Sequence, residues 1–463
     1  MMWNRALLTV VVVVVGSCAV AEEEARKRPP NVIFLLCDNL GYADIEPFGS
    51  ELHRTPHLDR MAAEGMRLTH FYSASGVCTP SRAALMSGCY PRRVGMDLTD
   101  PDGIVLRPVS PNGLHPDEVT IAEALKARGY ATAMFGKWHL GDQTPFLPTR
   151  QGFDEYFGVP YSDDMVAREG TPWPPLPYMH NEQVIEAPVD RDGLTRREAA
   201  HAVEFIEKHK DEPFFIYVPH TMPGSTRNPF SSEAFRGKSA NGDYGDSVEE
   251  LDWAAGQILD TVRRLGLSEE TLVIWTSDNG APKRNPPQGR NTPLAGWGYS
   301  TAEGGMRVPC IVWWPGTVPA GATCAEVTTT MMDWLPTLAH LAGGEAPTDR
   351  VIDGKDILPL LEGTEGAKTP HEAFYYYHAT VLEAVRSGDW KFYVGEGEME
   401  ERLFDVRVDP GETRNRVEEE PEAVARLKEL AEAARIDLGA GERAGENTRP
   451  VGRFEEPVAR VKE

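Results

Sequence analysis

The sequence predicts an α/β fold: a large mixed, mostly parallel sheet sandwiched by helices, then a smaller C-terminal subdomain of antiparallel sheet plus one helix. Three observations carry that prediction. Continuous apolar runs of strand length recur between Asn31 and Trp313, helical patterns lie between them, and from about Pro370 the pattern changes to short aromatic, alternating runs. Runs apolar on both faces suit parallel strands covered by helices on two sides, whereas alternation suits strands with one wet face.

Taken in order, strands are expected at 31–38, 131–135, 213–219, 271–278 and 307–313. Each is rich in β-branched and aromatic residues, and several end in a polar residue. Helices are expected at 119–129, 195–210, 247–265 and 331–342, giving the alternation of an open α/β sheet. The catalytic-scale domain would occupy 31–369. The smaller subdomain, 370–438, would hold strands at 371–378, 382–386, 390–394 and 402–406 and a helix at 421–436. The charged, Gly- and Pro-bearing residues 439–463 are expected to be disordered.

Composition sets limits on function. With 71 acidic against 47 basic residues the net charge is −24, which disfavours non-specific nucleic-acid binding, so an anionic substrate needs a locally positive pocket. Residues 1–21 read as a secretory signal, with Arg5, an apolar run and Ala19-Val-Ala21, implying a secreted or periplasmic protein. Val15-Gly-Ser-Cys18 also resembles a lipobox, which would tether the chain through lipid on Cys18; no other stretch approaches transmembrane length. Of the six cysteines, Cys310 and Cys324 could pair in an oxidising compartment or remain buried thiols.

In open α/β sheets, ligands bind beyond the carboxyl ends of the strands. Here those ends carry Asp38 and Asn39, Lys137 and His139, His220, and Asp278 and Asn279. The two Asp-Asn pairs are hard oxygen donors suited to Ca²⁺ or Mg²⁺ rather than zinc, or else they are Asx turns closing their strands. Cys78 sits in Gly76-Val-Cys78-Thr-Pro80-Ser-Arg82, a turn leading into an amphipathic helix that begins at Ser81. A helix N-terminus favours an anion or thiolate, although a lone cysteine is also a small buried apolar residue.

Cys78-x-Pro80-x-Arg82 resembles the signature of the sulfatases, formylglycine-dependent and arylsulfatase-like enzymes of the alkaline phosphatase superfamily. The resemblance extends to residues 31–41, Gly136-Lys-Trp-His-Leu-Gly141, Thr276-Ser-Asp-Asn-Gly280 and Glu303-Gly-Gly-Met-Arg-Val-Pro309, in the family's order. It implies a sulfuric ester hydrolase in which a formylglycine-generating maturation enzyme converts Cys78 to the nucleophile. It further implies that Arg82 and Lys137 hold the hydrated aldehyde and the sulfate, and that His139 takes the proton that releases covalent sulfate. Asp38, Asn39, Asp278, Asn279 and an oxygen at position 78 would ligate a cation, Ca²⁺ with Mg²⁺ as the alternative.

Three positions depart from the family pattern. Asn39 stands where many sulfatases have Asp, Gly224 where a histidine often contacts the leaving oxygen, and Gly298 where a lysine often binds sulfate. His220, Lys283, Arg284 or Arg290 are the nearby candidates to substitute. The expected substrate is a sulfated small molecule or saccharide, with the loops at 161–169, 171–178 and 225–241 walling the pocket. The alternatives are a phosphate or phosphonate monoester hydrolase of the same superfamily and a non-catalytic anion-binding protein.

Overall fold

The computed structural model describes residues 28–99, 103–325, 329–395 and 400–462; the expected leader at 1–21, with Cys18, lies outside them. Ten strands form the main sheet: β1 (Asn31–Asp38), β2 (Met66–Leu68), β3 (Ala131–Lys137), β4 (Glu155–Val159), β5 (Tyr178–His180), β6 (Gln183–Glu186), β7 (Phe214–Pro223), β8 (Thr271–Ser277), β9 (Cys310–Trp313) and β10 (Ala322–Cys324). Their spatial order is β10-β2-β9-β8-β1-β7-β3-β4-β5-β6. The central strands β8, β1, β7, β3 and β4 run parallel, and antiparallel pairings of β9 and β5 continue the sheet on either side.

Alternate side chains of β1 enter opposite cores. Val32, Phe34 and Leu36 pack with Leu85, Leu125 and Trp334 on one face, while Ile33, Leu35 and Cys37 pack with Phe205, Leu251 and Ile258 on the other. The first face is covered by α2 (Cys78–Ser87), α3 (Ile121–Lys126) and α6 (Trp334–Leu341), and the second by α1 (Pro56–Glu64), α4 (Leu194–His209) and α5 (Gly242–Arg264). Every residue of β1 is buried, which is why its sequence carries no polar alternation. Thr120 and Glu123 form a reciprocal capping box that starts α3.

Several expectations need correction. The strand expected at 307–313 begins only at Cys310, after Pro309, and runs antiparallel to β8. Strands β2, β4, β5, β6 and β10 were absent from the expectation; they are short or flanking and lack the long apolar signature. Cys310 and Cys324 both align with Leu68, one on each side of β2, so two strand spacings of about 4.8 Å separate them. That exceeds disulfide reach, and both are free thiols.

The C-terminal residues expected to be disordered are instead docked on the large domain. Gly452–Arg453 pairs with Asn112–Gly113, the Phe454 amide donates to the Pro111 carbonyl at 2.7 Å, and Arg449 holds Glu118 through two bonds of 2.6 and 2.9 Å. Their low hydrophobicity is offset by borrowed backbone and ion-pair partners. Among the described residues no helix is long and apolar enough to cross a membrane.

The smaller sheet is antiparallel, ordered β11 (Phe374–His378), β12 (Val381–Ser387), β13 (Trp390–Tyr393) and β14 (Arg402–Asp405), with α7 (Pro421–Asp437) packed on it. A buried charge cluster joins it to the main domain. Lys391, with no exposed side-chain surface, donates to the Thr301 carbonyl at 2.7 Å and pairs with Glu412 at 2.7 Å and Glu303 at 3.1 Å. Glu303 also accepts from Tyr72 at 2.5 Å and Tyr376 at 3.0 Å. Lys391→Met leaves buried carboxylates without their ammonium and is expected to cost about 3–5 kcal/mol, read as a shifted midpoint in chemical denaturation.

Candidate active site

The site lies where the carboxyl ends of β8, β1, β7 and β3 meet the N-terminus of α2. Register brings these ends together: Cys37 pairs with Ser277 on one side, and Asp38 with Pro223 on the other across an irregularity after Leu36. Helix α2 starts at Cys78 itself rather than at Ser81, and all ten of its residues are buried rather than one face. Cys78 therefore sits at the first helical position, and Arg82 lies one turn further on the same face.

Arg82 is enclosed, with no exposed side-chain surface, and makes four bonds. Its guanidinium reaches Asp38 Oδ1 at 2.8 Å, Asp278 Oδ2 at 2.7 and 3.1 Å, and the Lys137 carbonyl at 2.9 Å. Lys137 Nζ donates to the same Asp38 oxygen at 2.7 Å and to Ser162 Oγ at 3.2 Å. Two carboxylates and two cations thus form a buried, neutral quartet. Burial raises the Asp38 carboxyl, but Lys137 and Arg82 outweigh it and hold it below the usual carboxylate range; burial and the charge of Asp38 raise Asp278.

The two Asn residues tie the ends together. Asn39, at φ +61°, donates its backbone N–H to Asp278 Oδ1 at 3.0 Å and accepts at Oδ1 from Asn279 Nδ2 at 2.6 Å. Its Nδ2 donates to Ser225 Oγ at 3.1 Å, and Cys78 Sγ stands 3.8 Å from Oδ1. Asn279 Oδ1 is buried without a partner, and ligating atoms of Asp38, Cys78 and Asp278 lie within 4.8 Å of one another. An orphaned buried amide oxygen beside two carboxylates is a donor set that fits a hard divalent cation.

Burial, then the charge of Asp38, raises the Cys78 thiol well above its ordinary range, so the unmodified residue is a poor thiolate nucleophile. His139, at φ +62°, donates from Nε2 to the Leu106 carbonyl at 2.9 Å, which leaves buried Nδ1 as an unpartnered lone pair. Burial and the charges of Lys137 and Arg82 lower its pKa, so the imidazole is neutral and its Nδ1 lone pair is free.

Cys78 and His139 border a cavity of about 550 Å³ that is also lined by Ile104, Val105, Arg107, Ser162, Met165, Ser225, Arg284 and Tyr299. The candidate substrate groups are thereby sorted. Arg284 borders the cavity and donates to the Ser225 carbonyl, whereas Lys283 is exposed and is not part of the lining. His220 is not part of the lining either: its Nδ1 is bonded to Glu198 at 2.6 Å, and its Nε2 is buried without a partner.

The loops at 161–169 and 225–241 do wall the cavity, through Ser162, Met165 and Ser225, whereas 171–178 does not line it; sequence reasoning gave no individual role to Ser162, Asp163 or Ser225 and missed Tyr299. Asp163 is fully buried beside Gly224, has no partner for either oxygen, and is pushed up to about 8 by burial and then by Asp164 and Asp38. The available signal was adjacency: Ser225 and Tyr299 each follow one of the glycines that depart from the family pattern.

The chain matches the family model described as Sulfatase over residues 30–344 and that described as N-sulphoglucosamine sulphohydrolase, C-terminal, over residues 300–435. It is 36% identical to arylsulfatase A of Homo sapiens, over 94% of this chain and 92% of that protein. Among solved structures it resembles the PsFucS1 sulfatase from Pseudoalteromonas sp. with a TM-score of 0.79 at 25% identity, covering 90% of this chain and 92% of that one. It resembles Ps i-CgsB in complex with k-i-k-neocarrahexaose with a TM-score of 0.75 at 28% identity, covering 88% and 92%.

The raised thiol pKa has a direct consequence. In protein whose Cys78 is left as cysteine, alkylation of that residue by iodoacetamide at pH 8, followed by peptide mass spectrometry, is expected to run at least about tenfold slower than that of a free thiol.

Proposed function

Because the chain belongs to the sulfatase family and is a sulfuric ester hydrolase, we propose that it cleaves sulfate monoesters with a formylglycine made from Cys78 and a divalent cation, Ca²⁺ or alternatively Mg²⁺. The observation that carries this reading is the meeting of Cys78 with Asp38 and Asp278 beside the orphaned oxygen of Asn279. Asp38, Asn39, Asp278 and Asn279 would hold the ion. Formylglycine would supply the attacking hydroxyl, and the cation would polarise the sulfate oxygens.

The chain's own residues do the rest. Lys137 and Arg82 hold the Asp38 carboxyl ionised, Arg82 aligns Asp278 through two bonds, and Lys137 reaches Ser162 at the cavity wall. His139 Nδ1, unpartnered and beside the cavity, accepts the proton that must be removed to expel sulfate. Arg284, held at the cavity wall by its bond to the Ser225 carbonyl, binds the sulfate charge in place of the lysine absent at Gly298.

Conversion of Cys78 must precede folding, because the residue is 3% exposed and its whole helix is buried. A formylglycine-generating enzyme is therefore the implied partner during secretion, with residues 1–21 directing the chain out of the cytoplasm and Cys18 as the point where a lipid would tether it. The cavity suits a ring-bearing ester, a sulfated small molecule or saccharide, since Ile104, Val105, Met165 and Tyr299 give it apolar walls around its cationic groups. No observation singles out the phosphate- or phosphonate-ester alternative or the non-catalytic one.

The test is the mass of the Cys78 peptide from protein made in a host with the maturation system, with turnover of 4-nitrophenyl sulfate by the same preparation. Aldehyde at position 78 with turnover is expected; turnover by protein carrying only unmodified cysteine, beside a converted control sulfatase, would overturn the formylglycine step. For the sulfate contact, Arg284→Ala is expected to lower kcat/KM by about 10–10²-fold and Lys283→Ala by less than about twofold.

A further inference from the structure

Two glycines stand where the family pattern has a histidine and a lysine, and the backbone leaves neither residue room. A Cβ on Gly298 would lie 2.2 Å from the Gly280 carbonyl oxygen. One on Gly224, at φ +76°, would meet the Thr221 carbonyl at 2.7 Å and Asp163 Oδ1 at 2.9 Å. The residues that follow these two glycines, Ser225 and Tyr299, touch each other: Ser225 Oγ and the Tyr299 hydroxyl are 3.1 Å apart, and both residues line the cavity with Cys78.

Tyr299 adopts φ +68°, a left-handed conformation that a bulky side chain takes only when its surroundings impose it. Its N–H is held by the Gly76 carbonyl at 2.9 Å, two residues before Cys78. Asn39 Nδ2 can only donate, and it donates to Ser225 Oγ, which keeps its own proton and a second lone pair; with that proton given to the tyrosine oxygen, the phenol's own proton is free for a group in the cavity.

Resting on the hydrolase reading above, we infer that the Tyr299 hydroxyl donates a hydrogen bond to the ester oxygen that departs with the alcohol or phenol. In that step sulfur gains a bond to the attacking hydroxyl oxygen, whose proton is released to solvent, as the bond between sulfur and the ester oxygen breaks; that bond's electron pair stays on the ester oxygen, and a proton from solvent completes the alcohol. Tyr299 keeps its own proton and stabilises the growing negative charge. A phenol titrates far above neutral pH, so the hydroxyl stays a donor at any working pH.

Tyr299→Phe removes the hydroxyl while keeping ring and backbone. It is expected to lower kcat/KM by about 10²-fold on an alkyl or sugar sulfate, whose leaving oxygen develops nearly full charge. On 4-nitrophenyl sulfate, whose ring delocalises that charge, the loss is expected to stay under about fivefold, which also reports that the variant folds. Equal losses on the two esters, or none on either, in an otherwise active protein would overturn this inference alone. Wild-type protein inert towards every sulfate ester would overturn the hydrolase reading and this inference with it.

Discussion

Arg82 is the constraint on which the site depends. One guanidinium, enclosed on all sides, is the counter-charge to two carboxylates that end adjacent parallel strands and is also bonded to the carbonyl of a third strand end. Bringing Asp38 and Asp278 this close without a cation between them would leave like charges in a low-dielectric interior, a cost of several kcal/mol. The helix carrying Arg82 must therefore dock with its first turn at the strand ends. That docking fixes Cys78, four residues earlier, at the mouth of the same cleft.

The quartet of Asp38, Asp278, Arg82 and Lys137 is neutral, so it neither attracts nor repels an anion by itself. A divalent cation would add two positive charges and a sulfate monoester would remove one. The Asn39 side chain leaves that balance one unit more positive than an aspartate would. With such a cation bound, a chain of net charge −24 would concentrate positive potential at this site, and long-range attraction would contribute little to capture.

The parallel core of the fold was legible because strands buried on both faces are written as unbroken apolar runs, as in β1 and β8. The flanking strands were not. β2 and β10 are three residues long, and β5 and β6 lie in a stretch whose prolines and aromatics read equally as loop. Strand-end polar residues announced Asp38, Lys137, His139 and Asp278, since polar groups closing apolar runs have few other reasons to recur. His220 followed the same rule but does not line the cavity: its Nδ1 is taken by Glu198 of α4. Direction along a strand end depends on side-chain partners that no spacing encodes. The docked C-terminal residues were illegible for a related reason, because their order rests on Glu118, Pro111 and Asn112, residues more than 300 positions away.

The departures at 224 and 298 carry a structural lesson about substitution. Read as isolated letters they look like losses, each reversible by restoring the side chain. The backbone argues otherwise. At 298 the chain passes so close to the Gly280 carbonyl that any Cβ is excluded, and the Gly298 N–H donates to the Ala281 carbonyl at 2.8 Å. At 224 the left-handed turn is held by its N–H on the Asp38 carbonyl at 2.9 Å, which ties that turn to the carboxylate strand itself. The absence of two side chains is therefore built into the path of the chain around the site. The same path places Ser225 and Tyr299 against each other at the cavity wall, so the two close backbone passages and the hydroxyl pair belong to one local arrangement.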